Sequence, residues 1–267
     1  MIKDIVVNLT IGVERDAAAN YAISLASIFK AHLVGVAFVY DPKVSANLIV
    51  GIPAELIEAQ RAATKHLANE AVARFKELGK QAGVMTESQM IDVAPGHVGD
   101  TFGRLARSFD LSVIRQAEPN KAEQEVPIIE GALFESGRPV IVVPYVQMQG
   151  AKFNRVMVGW DGSQTAARAI GDAMPVLERA KMIEIFTVVA GPTKNTELPG
   201  IDIGQHLSRH GLRSRSSASR PRASMFRRQS FPMPRISPLT SWSWAATATP
   251  AYANMYWAVP HVAYWRV

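Results

Sequence analysis

The sequence predicts an α/β fold built on a doubly wound, parallel, five-stranded sheet that occurs once in full and once in part. Two observations predict it. Short apolar runs rich in β-branched residues alternate with amphipathic segments, as in strands joined by crossover helices. The same order of elements then restarts after about 150 residues, which indicates a tandem duplication because the units of solenoid repeats are shorter.

The first copy, residues 1–146, contains every element of such a domain. It opens on the apolar run 5–9, which is typical of a buried strand. Further elements follow in order: a helix over 15–30, a strand over 32–40, a helix over about 55–82, a strand near 84–92, a helix over about 97–108, a strand at 110–114 and a last strand at 139–144.

The second copy, residues 153–212, follows a linker at 147–152 and repeats only the beginning of the first. A strand over 153–160, a helix over 164–179 and a strand over 183–190 are predicted. The segment before 213 has room for its first two strands and one full helix. Ser163 stands where the helix should start and fits the N-cap position better than a nucleophile, since no G-x-S-x-G pattern surrounds it.

Two segments carry a family resemblance. The strand Val156-Met157-Val158 runs into Gly159-Trp160-Asp161-Gly162-Ser163, and the first copy ends on a helix and strand over 132–144. Residues 1–212 thereby resemble the universal stress protein family. The resemblance implies an adenine-nucleotide alpha-hydrolase-like fold, a cytoplasmic stress-response role without catalysis, and a homodimer or copy-to-copy pairing through edge strands.

The resemblance also implies a nucleotide site at the carboxyl ends of the strands. Members that bind ATP use an Asp after the first strand, a backbone contact after the second and a loop G-x-x-G, nine residues, G-[ST] after the fourth. In this chain the first two parts map onto Asp161, Gly162, Ser163 and Val189. Glycines let the backbone approach phosphates, and amides at a helix N-terminus supply donors.

Each copy departs from that pattern at a different place. In the first, the region Asn8-Leu9-Thr10 replaces the Asp, no glycine occurs over 115–130, and Glu118 is expected to repel a phosphate. The second keeps Asp161 but departs before a fourth strand could appear. Each half of the site is therefore expected only where the other half is missing, and ATP binding is expected to be weak or absent.

The segment 213–267 differs in composition from the rest of the chain. It holds eight Arg, nine Ser and six Pro, but no Lys, Asp or Glu, and the net charge of +6 comes from it. One interpretation is a disordered extension, because such polar sequences cannot bury a core. Another is a nucleic-acid arm in which arginines contact phosphates and tryptophans stack on bases, which makes a nucleic-acid-binding regulator the alternative function.

A third interpretation, which we favour, is translation out of frame. Joining the last base of each codon to the first two of the next makes Trp244-Ala245 and Trp257-Ala258 each encode glycine, because Trp ends in G and Ala begins with GC. With permitted synonymous codons, residues 239–265 can be read as DFMVMGGYGHTRLREYVLGGATRGIL. That string contains G-G-Y-G, nine residues and G-G-A-T, which resembles the phosphate loop pattern with Gly in place of its final Ser or Thr, so the tail becomes the lost remainder of the second copy.

Composition excludes several other classes of function. The chain has no Cys, so disulfides, thiolate metal sites and Cys nucleophiles are excluded. Neither a signal peptide nor a run of ~18 apolar residues is found, so a soluble cytoplasmic protein without a membrane partner is expected. His206 and His210 lack a third ligand with metal-site spacing and are expected to lie on a helix face.

Overall fold

A computed structural model describes residues 1–40, 54–94, 96–118, 125–188, 201–219, 256–258 and 264–266. Strands and helices alternate through the first copy, and all the elements predicted for it are present, with ends shifted by a few residues. They are β1 (Asp4–Asn8), α1 (Ala17–Phe29), β2 (His32–Tyr40), α2 (Ala54–Gln81), β3 (Thr86–Val93), α3 (Val98–Ala106), β4 (Leu111–Arg115), α4 (Glu125–Glu135) and β5 (Val140–Val143).

The five strands of the first copy form a sheet in the order β3-β2-β1-β4-β5. All of their pairings are parallel. β1 and β4 lie in the middle of this order and are buried on both faces, which explains their nearly continuous apolar sequences. The predicted fold class is confirmed.

The second copy repeats the start of this arrangement. Its elements are β6 (Val156–Gly159), α5 (Gln164–Leu177), β7 (Ile183–Val188), α6 (Ile201–Arg209) and β8 (Ser214–Ser219). β6, β7 and β8 pair in parallel, in the same order as β1, β2 and β3. β8 begins directly after the change of composition at 212–213, so the third strand of this copy has a serine- and arginine-rich sequence.

One continuous ten-stranded sheet joins the two copies. Two three-residue strands from the tail, β9 (Tyr256–Ala258) and β10 (Tyr264–Arg266), give the order β5-β9-β10-β6 at the junction. β9 is antiparallel to β5, and β10 is antiparallel to both β9 and β6. Of the segment 213–267, the structure describes these two strands, β8 and Arg213; disorder in the remainder stays a prediction.

The linker between the copies is packed against the first copy. The backbone N–H of Ala151 donates a hydrogen bond to Ser24 Oγ at 3.0 Å. Phe153 is buried, and its ring centroid lies 6.2 Å from that of Phe29. The guanidinium of Arg179, from the second copy, lies 4.4 Å from the Phe29 ring centroid. As a result, one hydrophobic cluster extends from α1 across the linker into α5.

A second hydrophobic cluster lies on the opposite face of the first copy, under α3 and α4. Phe102 and Ile128 are its largest fully buried side chains on these helices. The two helix backbones approach closely at Gly99, Gly103 and Gly131. A Cβ atom added at Gly131 would lie 2.1 Å from the carbonyl oxygen of Gly99. This crossing fixes the start of α4, which forms one wall of the site described next.

Candidate functional site

The turn after β6 holds three of the four residues predicted to contact a nucleotide. Asp161 Oδ1 accepts a hydrogen bond from the backbone N–H of Ser163 at 2.9 Å. Gly162 adopts a φ of +77°, which glycine tolerates without strain. Ser163 is the N-cap of α5, and its Oγ accepts from the N–H of Ala166 at 3.1 Å. The predicted capping role of Ser163 is confirmed.

This turn lies at the carboxyl edge of β6, where ligands of open α/β sheets bind. Val189, the fourth predicted residue, lies outside the described residues. The strand that adjoins β6 on the side away from β7 is β10, which pairs through Trp265 with Val158 and through Arg266 with Met157. Because β10 is antiparallel, it runs away from this edge. On this side of β6, the described residues include no parallel neighbouring strand.

The corresponding edge of the first copy contains a small cavity. Its empty space is about 240 Å³, including the open mouth. The lining residues come from the end of β1, the end of β2 and the start of α4: Asn8, Leu9, Thr10, Ile11, Phe38, Tyr40, Glu125 and Ile128. Much of that space is open to solvent, and the enclosed part has room for about one water-sized group.

The loop that follows β1 is held by the carboxylate of Asp16. Its Oδ2 accepts from the backbone N–H of Thr10 at 2.7 Å, and its Oδ1 accepts from Ala18 and Ala19 at the start of α1. Burial raises the pKa of Asp16, while these N–H groups and the charge of Arg115 act in the opposite direction. One side chain thus fixes both the loop and the helix start.

An arginine occupies the end of β4, where the resemblance places a phosphate loop. The Arg115 side chain is buried, and its Nη1 donates to Glu125 Oε1 at 3.3 Å. Its Nη2 donates to Glu118, and the guanidinium carbon lies 5.9 Å from the ring centroid of Tyr145. Glu118, expected to repel a phosphate, is here the partner of a buried cation, and Arg115 is already neutralised by carboxylates.

Sequence reasoning assigned no role to Arg115 or Glu125. The available signal was an arginine that ends the apolar strand Leu111–Arg115, with acidic residues following it. A buried charge needs a partner, so this pattern indicates an ion pair. Which acid forms that pair depends on how α4 packs against β4, and spacing along the chain does not determine this packing.

The described residues also bear on metal sites and on membrane-spanning helices. In the described ranges, no three His, Asp or Glu side chains form a group suited to a metal ion. His206 and His210 stack with ring centroids 4.8 Å apart near the end of α6. No helix in the described parts of the chain is long and apolar enough to cross a bilayer.

Comparison with known proteins supplies structural relatives only. No family model matches the sequence, and no curated protein matches it. A universal stress protein from Archaeoglobus fulgidus DSM 4304 superposes with a TM-score of 0.62 at 17% identity, over 82% of this chain and 77% of that one. For universal stress protein UspA from Lactobacillus plantarum, the TM-score is 0.39 at 17% identity, over 53% of this chain and 97% of that one. For a universal stress protein in complex with cAMP, the TM-score is 0.31 at 18% identity, over 43% of this chain and 76% of that one.

The match to the Archaeoglobus protein extends past the first copy, because residues 1–146 make up little more than half of the 267-residue chain. The superposed structures share the strand order and crossover helices described above. The chain therefore has the fold of the universal stress proteins.

Proposed function

We propose that this chain is a non-catalytic protein of the universal stress protein family with a stress-response role. On this proposal the first copy binds no nucleotide, and the second retains half of an ATP site at Asp161, Gly162, Ser163 and Val189. Its partner is a second copy of the chain or its own other copy.

One observation carries the proposal: among the described residues, neither copy combines the Asp turn with a glycine loop after a parallel fourth strand. The first copy has the parallel β4 beside β1, but Arg115 and its two glutamates occupy the end of that strand. The second has the Asp161 turn, but antiparallel β10 stands beside β6. A phosphate needs both the turn and a helix start that points at it.

On the proposal that the tail is an out-of-frame translation, few strand contacts between the tail and the second copy are expected, but β8 and β10 pair with β7 and β6. In the first copy, β4 and β5 lie on the side of β1 away from β2. A complete second copy would place two further strands on the corresponding side of β6. β10 and β9 occupy those two positions with three residues each; β10 runs opposite to β6, and β9, antiparallel to β10, runs in the same direction as β6. The position directly beside β6 therefore lacks the parallel strand that a complete copy requires.

A nucleotide titration tests this proposal. For the chain as it stands, we expect millimolar ATP or cAMP to leave the melting temperature unchanged. For the protein from a gene restored to the alternative frame after residue 212, we expect ATP at 100 times its Kd to raise the free energy of unfolding by about 2.7 kcal/mol. The melting temperature should then rise by about 5 °C or more. Asp161→Ala in the restored protein should abolish the shift, whereas the exposed Asp100→Ala should not.

The coding DNA supplies an independent check. Codons for residues 239–265 that cannot spell the glycine loop in the shifted frame would overturn the frame proposal. An ATP-dependent stabilisation of the unaltered chain, lost in Asp161→Ala, would overturn the incomplete-site proposal. A salt-dependent RNA affinity lost on deletion of 213–267 would instead support the nucleic-acid-binding alternative.

A further inference from the structure

The cavity of the first copy contains acceptor oxygens that have no hydrogen-bond partner among the described residues. They are Asn8 Oδ1, Thr10 Oγ1 and Glu125 Oε2. These residues are 4%, 9% and 6% exposed, and all three line the cavity. An acceptor buried without a partner costs about 1–3 kcal/mol. Three such atoms around one space indicate an occupant that offers hydrogen-bond donors or positive charge.

The charges around the cavity also favour a cation. Glu118, Glu125 and Asp16 lie close to Arg115, which is the cation that pairs with the first two. Two carboxylates therefore pair with one guanidinium, and an entering anion would meet unfavourable charge. The aromatic rings of Phe38 and Tyr40 complete the wall, and aromatic faces attract cations.

The size of the cavity and its donor set narrow the class of cation. The enclosed space has room for about one water-sized group. One carboxylate, one amide oxygen and one hydroxyl are oxygen ligands without nitrogen or sulfur, so soft transition metals are disfavoured. Oxygen ligands suit hard cations, and because the Glu125 carboxylate already pairs with Arg115, the set carries too little negative charge for a divalent ion. It suits a monovalent cation or the head of a primary ammonium group.

We propose that the first copy binds a small monovalent cation, a K⁺-sized ion or a primary ammonium, through Asn8 Oδ1, Thr10 Oγ1 and Glu125 Oε2. The site lies where the resemblance places a nucleotide, but it has the opposite charge preference. It uses the first copy alone and does not depend on the nucleotide half-site of the second copy.

Calorimetry and thermal melts of the full chain test the proposal. KCl, NH4Cl and methylammonium chloride should each be compared with tetramethylammonium chloride at equal ionic strength, because the bulky quaternary ion does not fit. Thr10→Val removes one ligand oxygen and keeps the side-chain shape, so we expect affinity to fall about tenfold or more. Asn8→Asp adds a negative charge and should raise affinity. Glu130→Gln, exposed on the same helix, is the matched control.

The outcomes separate the sources of the cation. Stabilisation by K⁺ that Thr10→Val weakens supports an inorganic ion, and stabilisation by methylammonium alone supports an organic amine. Equal melting curves in all four salts overturn the proposal. So does a K⁺ effect that Thr10→Val and Asn8→Asp leave unchanged, since it would arise elsewhere. Nucleotide binding by the second copy would alter none of these comparisons.

Discussion

Replacing Gly131 by alanine is expected to destabilise the protein by about 3 kcal/mol or more, although the same change normally stabilises a helix. In an ordinary helix interior, alanine is about 1 kcal/mol more favourable than glycine. At this position the new Cβ would lie 2.1 Å from the carbonyl oxygen of Gly99. The obstacle is backbone, so α4 has to move away from α3, and overpacking of this kind costs typically 1–3 kcal/mol or more.

The displacement would also open the cluster that holds Phe102 and Ile128, which adds lost packing to the steric cost. Urea unfolding measures the effect. Gly171→Ala in α5 is the matched control, because no atom lies within 4 Å of its added Cβ and its φ is ordinary. We expect that control to be neutral or stabilising by up to about 1 kcal/mol. A stable Gly131→Ala variant would contradict the described helix crossing.

Replacing Arg115 by methionine is expected to cost about 3–5 kcal/mol, because it leaves a buried carboxylate without its cation. Glu125 is 6% exposed, and Arg115 is the cation bonded to it. Part of the loss should be regained in the double variant Arg115→Met/Glu125→Gln, which removes both charges. Such recovery would separate the penalty of an unpaired charge from the loss of arginine packing.

The exposed pair of Arg107 and Glu135 provides the control for this prediction. Their nitrogen and oxygen lie 3.6 Å apart, and both side chains are more than half exposed. Arg107→Met should therefore cost no more than about 1 kcal/mol. Chemical denaturation of all three variants, with circular dichroism to verify folding, makes the comparison. Equal losses for Arg115→Met and Arg107→Met would contradict a buried ion pair at the end of β4.

The sequence was sufficient for features that depend on local patterns. Apolar runs located β1 and β4, helical periodicity located α2, and the Asp-Gly-Ser turn located the N-cap of α5 at Ser163. Each of these follows from spacing within one element and its flanking residues.

The features that escaped prediction depend on contacts between distant segments. The ion pair of Arg115 with Glu125 requires the packing of α4 over β4. The unpaired oxygens of Asn8 and Thr10 indicate a binding site only because Glu125 lines the same cavity. The continuous sheet required residues 256–258 and 264–266 to pair with strands from both copies. None of these arrangements leaves a periodic signal in the sequence.

Because the linker is packed against the first copy, the two copies share one hydrophobic cluster. Ala151 and Phe153 contribute to the same apolar cluster as α1 and α5, and Arg179 lies over a ring of the first copy. Burial of apolar surface is the main favourable term in folding. Substitutions within the shared cluster, such as those at Ala151 or Phe153, are therefore expected to lower the free energy of unfolding of both copies.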